Sequence, residues 1–164
     1  MTYITIEAAP ITAKAFAPFG ELIEEGEQTA TIINEGLCKR FTDLANMEAE
    51  GGRIGLSLFD ARLRAVPHTL DLMERHPLGS QCFVPLGGSS YLVIVAHDDG
   101  GKPGAPLAFL AGPEQPVNIA RNTWHGVLAP ISGTGLFAVL DRIGPGQNLE
   151  EHRLEDPVLV TLPD

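Results

Sequence analysis

Positive charge is scarce in this sequence. Of 164 residues only 11 are Lys or Arg, against 21 Asp and Glu, for a formal net charge of −10. A chain that grips nucleic acid or an anionic membrane through phosphates needs the opposite balance, so neither is expected as a partner. Cysteine is scarce as well: Cys38 and Cys82 are the only two, and neither lies in a Cys-x-x-Cys pattern. Reduced, inert thiols are expected rather than a disulfide framework. Long apolar runs are missing, since Tyr91–Ala96 is the longest and a bilayer helix needs roughly 20 residues. Met1 to Glu7 has no basic region, apolar segment or small-residue cleavage site, so no signal peptide is read there and a soluble, cytoplasmic protein is expected. A Gly-rich phosphate loop and a nucleophile elbow are lacking too, because Gly144-Pro145-Gly146 has no flanking strand, Lys or Ser/Thr.

What is present is an apolar fraction of 44%, enough for one compact domain over residues 1–164. The 18 glycines and 13 prolines punctuate it too often for a helical bundle. Thr12 to Phe19 starts on a capping residue and reads as one short helix; Met47–Glu50 and Asn148–Leu154 can each hold another turn. Elsewhere strand-like pieces recur: Thr29–Ile33, Leu37–Leu44, Ile54–Leu63, Leu70–His76, Gln81–Leu86, Tyr91–His97, Leu107–Ala111, Val117–Ile119, Val127–Ala129, Leu136–Asp141 and Val158–Leu162. Short strands with turn clusters between them predict an all-β sandwich or barrel with a few short peripheral helices. Tyr91–Ala96 shows no polar alternation, so both its faces should be covered, one by the barrel interior and one by a second sheet or a second subunit.

Alternate strand residues share a face, so Leu70 and Leu72 point the same way as Glu74 and His76. A carboxylate and an imidazole at the end of an apolar wall need a partner or a metal, unless the strand simply emerges into solvent there. A four-residue loop, Pro77–Ser80, would pair His76 with Gln81 on that face; a three-residue loop would send Gln81 to the other. Residue pattern alone leaves both registers open.

The stretch Glu74-x-His76-(four residues)-Gln81-(six residues)-Gly88 resembles the first motif of the cupins, with Glu in place of the first His and Gln in place of the Glu. The second cupin motif is recognisable at His125, with Ala120 and Asn122 at its usual Pro and Gly positions. The blocks Met73–Gln81, Asn122-Thr123-Trp124-His125 and Asp141-Arg142 with Asn148–Glu151, together with the Phe16–Gly20 opening, resemble the ureidoglycolate lyase family. The resemblance implies a cupin-like jelly-roll barrel in which Glu74, His76, Gln81 and His125 converge. It also implies a cytosolic homodimer that cleaves ureidoglycolate to glyoxylate and urea in allantoin degradation, a carbon–nitrogen (amidine-type) lyase with nickel as cofactor.

Ureidoglycolate carries a hydroxyl and a urea nitrogen on one carbon beside a carboxylate. Its cleavage needs a base for the hydroxyl proton, an acid for the departing nitrogen and a cationic site for the carboxylate. His125 and His76 are the natural proton carriers, because imidazole titrates near neutrality. Glu74 can orient a histidine or join a metal set with His76, Gln81 and His125, a mixed N/O group suited to Ni, Mn, Zn or Fe. A metal-free acid–base site is the competitor. Gln81, Arg121, Arg64 and Trp124 are the expected substrate contacts, since guanidinium matches carboxylate in bidentate fashion. Arg75 points away by parity, Asp141-Arg142 reads as an internal ion pair, and His152 as a solvated helix residue. The rival reading is a noncatalytic cupin-like module binding a small carboxylate. The acidity does not oppose such a ligand: residues 21–50 hold eight acids and two bases, 141–164 six and two, but 51–140 six of each.

Overall fold

The computed structural model describes residues 3–26 and 29–164; Met1 and Thr2, part of the segment read for a leader, lie outside them. Two β-sheets make the body. A five-stranded sheet runs in the order Gly20–Leu22, Val117–Ile119, Gln81–Pro85, Leu136–Ile143 and Arg53–Asp60, antiparallel throughout. An eight-stranded sheet is ordered Ile4–Glu7, Glu150–Thr161, His68–Arg75, Trp124–His125, Tyr91–Ala96, Leu107–Ala111 and Ala9–Pro10, with Ala129–Pro130 also on Tyr91–Ala96. This is the expected all-β, jelly-roll architecture. Among the described residues helix is limited to Ala13–Phe16, capped by Thr12, whose hydroxyl accepts from Ala15 N at 3.1 Å, and a 3₁₀ turn at Asn34–Gly36. Among the described residues no helix is long and apolar enough to cross a membrane.

The first strand pair closes the larger sheet. Ile4–Glu7 runs parallel to the last strand, and Ala9–Pro10, directly after it, runs parallel to Leu107–Ala111 at the opposite margin. One segment therefore holds both margins, and the sheet curls round a core of its own. That core contains Ala8, Leu70, Met73, Leu92, Ile94, Trp124, Val158 and Val160. A second core fills the space between the two sheets, with Phe16, Phe19, Phe83, Tyr91, Val93, Val95, Phe109 and Phe137.

All six residues of Tyr91–Ala96 are buried, with odd positions in the inter-sheet core and even positions in the other. The missing alternation thus reports two intramolecular cores, and this run needs no second subunit to cover it. Several expected elements differ. Met47–Glu50 forms an isolated bridge from Ala49 to Gly79 and a turn instead of helix, while Asn148–Leu154 leads into the strand Glu150–Thr161. Ile4–Glu7, Gly20–Leu22 and Trp124–His125 are strands that residue pattern did not single out.

The alternation read along Leu70–His76 also breaks. Leu70 and Met73, an even and an odd position, enter the same core, which places Glu74 on the opposite side from Leu70. The break falls where the register of the neighbouring strand jumps, between Arg153 and Val158 beside Leu72 and Leu70. A bulge of this kind bends and twists the ribbon locally.

Candidate active site

Glu74 and His125 are direct partners across adjacent antiparallel strands, both facing the space between the sheets. Neither hairpin register proposed for His76 and Gln81 occurs, because the two strands belong to different sheets. After Arg75 the chain crosses from one sheet to the other through Pro77–Ser80. Gly79 permits this crossing: a Cβ there would lie 2.8 Å from Arg142 Cβ and 2.9 Å from Glu48 O. Gln81 then meets His76 face to face across the gap, Oε1 to Nε2, at 3.1 Å.

Glu74, His76 and His125 offer ligand atoms all within 4.8 Å of one another. His125 Nε2 lies 3.6 Å, and His76 Nε2 3.9 Å, from Glu74 Oε1. Backbone carbonyls fix both rings. Thr123 O accepts from His125 Nδ1 at 2.9 Å and Asn148 O accepts from His76 Nδ1 at 2.8 Å. Each neutral ring therefore carries its proton on Nδ1 and turns an Nε2 lone pair inward. His125 is 2% exposed and its Nε2 has no hydrogen-bond partner among the described residues.

Gln81 contributes in the same sense. Its Nε2 donates to Asp141 Oδ2 at 3.1 Å, so Oε1 is the atom facing His76. Four inward atoms, two imidazole nitrogens, one carboxylate oxygen and one amide oxygen, thus share a space to which none of them donates. An orphaned buried nitrogen beside converging acceptors is a costly arrangement unless a cation or a transferred proton fills it. The donor set fits a divalent ion of the borderline N/O-binding kind. The Glu74 carboxyl is held below the usual range, chiefly by the His125 ring at the outer limit of hydrogen bonding; burial opposes this, and the His125 and His76 charges reinforce it.

Glu74 and Gln81 line a cleft of about 410 Å³ together with Phe59, Asp60, Arg64 and Phe83, among others, and His125 and His76 stand behind them, against Glu74 and Gln81 respectively. Arg64 is thus placed with Glu74 and Gln81. Arg121 and Trp124 are not. Arg121 donates to Pro77 O and Glu50, away from the cleft, because Asn122 turns the chain there. Trp124 faces the other core, since it precedes His125 on a strand and alternation sends it through the sheet. There its Nε1 donates to Asp98 Oδ1 at 2.9 Å, and Arg75 lies over its ring at 4.4 Å. Arg75, bonded to Asp98 and Glu150, is satisfied within the chain. His152 belongs to a strand, its ring 6.2 Å from that of Trp124. Asp141 and Arg142 do not pair: Arg142 donates to the carbonyls of Glu50 and Pro145.

Asn122 occupies a glycine position of the cupin pattern, and its φ of 62° explains why. Asparagine is among the few side-chain-bearing residues that tolerate the left-handed region. Its N–H donates to His76 O at 2.9 Å, which ties the turn before His125 to the strand that carries His76.

The family model described as ureidoglycolate lyase matches residues 3–161. The chain belongs to the ureidoglycolate lyase family. It is 57% identical over 152 residues to a ureidoglycolate lyase of Rhodobacter capsulatus, covering 92% of this chain and 94% of that one. It is 48% identical to ureidoglycolate lyase 2 of Rhizobium meliloti, over 96% of this chain and 98% of that one. A ureidoglycolate lyase of Chelativorans sp. is 49% identical over 97% of this chain and 98% of its own.

Among the cleft residues, Asp60, Phe59 and Phe83 were not singled out in the sequence, and Asp141, which is bonded to Gln81, was read in another role. Only Asp141 carried a signal, as an acid at the end of an apolar strand, Leu136–Leu140.

Proposed function

We propose that this chain, residues 1–164 acting as one catalytic domain, is a ureidoglycolate lyase that cleaves (S)-ureidoglycolate to glyoxylate and urea. Membership of the family supports the reaction, and the buried, unpartnered His125 Nε2 facing Glu74 is the observation that carries the site. The reaction moves one proton from the hydroxyl to the departing urea nitrogen as the carbon–nitrogen bond breaks and the carbon–oxygen bond becomes a carbonyl. His125 Nε2 takes the hydroxyl proton. Glu74, kept anionic at neutral pH, stabilises the imidazolium that forms. That same proton then passes to the Nε2 lone pair of His76, whose ring centroid lies 5.1 Å from that of His125 and faces the same space, and from there to the departing nitrogen. Gln81 Oε1 accepts from a urea N–H, and Arg64 takes the carboxylate at the cleft.

The residues present also fit a divalent ion, nickel by family resemblance, held by Glu74, His76, Gln81 and His125. Such an ion would supply Lewis-acid polarisation of the hydroxyl. We further assign a cytoplasmic homodimer, on the resemblance alone.

The test is release of glyoxylate and urea from racemic and (S)-ureidoglycolate, with and without exhaustive chelation. Full turnover after chelation assigns the chemistry to the side chains alone; loss that nickel restores assigns it to the ion. Tight binding of the substrate without turnover under either condition overturns the lyase reading and favours a carboxylate-binding module.

A further inference from the structure

We infer that Asp141 is a positioning residue of this site: its carboxylate selects the orientation of the Gln81 amide and so keeps an oxygen, not an NH₂ group, turned toward His76. The inference rests on the reading of Gln81 and His76 as site residues.

A glutamine side chain has two faces of opposite polarity and nearly equal shape. With Oε1 inward, Gln81 sets an acceptor 3.1 Å from His76 Nε2, whose lone pair is fixed by the Nδ1 contact to Asn148 O. Two acceptors at that distance repel in the neutral site. Rotating the amide by half a turn would replace the repulsion with an N–H to nitrogen hydrogen bond. That rotation would cap the His76 lone pair and leave the four-residue set with a donor in its middle. Local energetics between Gln81 and His76 therefore favour the nonfunctional rotamer.

The opposing contact is on the other side of the amide. Gln81 and Asp141 are register partners on neighbouring strands of the five-stranded sheet, and Gln81 Nε2 donates to Asp141 Oδ2 at 3.1 Å. The half-turn would point Oε1 at that carboxylate. Hydrogen bonds to an ionised group are roughly twice as strong as neutral ones, and Gln81 is only 5% exposed, so water cannot substitute for the lost donor. Asp141 wins, and the acceptor-rich arrangement follows from it. Outer partners of this kind, acting on an inner ligand through its other atom, typically change metal affinity or activity about 10–100-fold when removed.

Two variants test this. Asp141→Ala deletes the acceptor, and Asp141→Asn keeps the shape while accepting either face of Gln81. The primary readout is the Gln81 side-chain NH₂ by NMR in the full-length protein, using cross-peaks to His76 ring protons against cross-peaks to residue 141. Expected are cross-peaks to residue 141 only in the parent, to His76 in Asp141→Ala, and to both in Asp141→Asn. Turnover should fall about 10–100-fold in kcat for Asp141→Ala and less for Asp141→Asn, and nickel affinity by calorimetry should fall in the same order. An amide that stays oxygen-inward in Asp141→Ala overturns the inference, as does one that flips with kcat unchanged. If the parent turns over no ureidoglycolate, the functional reading fails, while the NMR result still decides the role of Asp141.

Discussion

Glu74 Oε1 and His125 Nε2 face each other at 3.6 Å across one register pair of the larger sheet, with the Nδ1 of the same ring tied to Thr123 O. That distance leaves room for one proton or one ion.

His125→Ala removes the inward lone pair and should cost about 10²–10⁴-fold in kcat, the range of a general base. Glu74→Gln should cost less, because it keeps an acceptor oxygen and loses only the charge. Steady-state kinetics on ureidoglycolate decide this, and a His125→Ala enzyme with parental kcat refutes the assignment.

Asn122 should accept glycine and resist a β-branched residue. Asn122→Gly keeps the left-handed turn and should hold parental activity. Asn122→Val forces a bulky side chain into φ 62° and should lose about 1–2 kcal/mol in urea unfolding. Equal stability of the two variants would show that the turn is not under this constraint.

The two cysteines should react differently. Burial, with the Glu21 charge adding, pushes the Cys82 thiol up to about 11, and its side chain is almost fully enclosed. It stays protonated and inert through pH 9. An aromatic disulfide reagent at pH 8 should titrate Cys38 alone in the native protein and both thiols only after unfolding.

His68 should make the protein less stable in mild acid. Burial first, then the Arg64 charge, hold this ring below its ordinary value of about 6.5, against the opposing pull of Asp71. As pH falls through about 6.5 the unfolded chain takes up a proton that the folded one refuses, so stability drops until the lower folded value is passed. His68→Gln should flatten the fall in melting temperature between pH 7 and pH 5. An identical slope in both proteins would remove His68 from the account.

Much of this was legible in residue order. Short strands, turn clusters and the run Tyr91–Ala96 carry local information about an all-β body, because side-chain alternation and punctuation act over a few residues. Glu74, His76, Gln81 and His125 were legible as a group through a resemblance in spacing. What escaped depends on contacts between distant segments. The crossing of Pro77–Ser80 between sheets hides in the packing of Gly79 against Arg142, and the Leu70–Met73 shift falls beside a bulge on a strand distant in sequence. Arg121 is drawn off by Glu50, 71 residues away. Asp141 gains meaning only once Leu136–Ile143 lies beside Gln81.

The opening segment Ile4–Pro10 has a consequence for handling the molecule. Because it lies against Glu150–Thr161 on one side and Leu107–Ala111 on the other, proteolysis or truncation before Ile11 would bare two rows of unpaired backbone amides and carbonyls at once. Exposed rows of that kind recruit strands from other chains. A trimmed preparation should therefore aggregate before it loses the distant site at His125, and solubility would report the integrity of the first ten residues sooner than any assay of turnover.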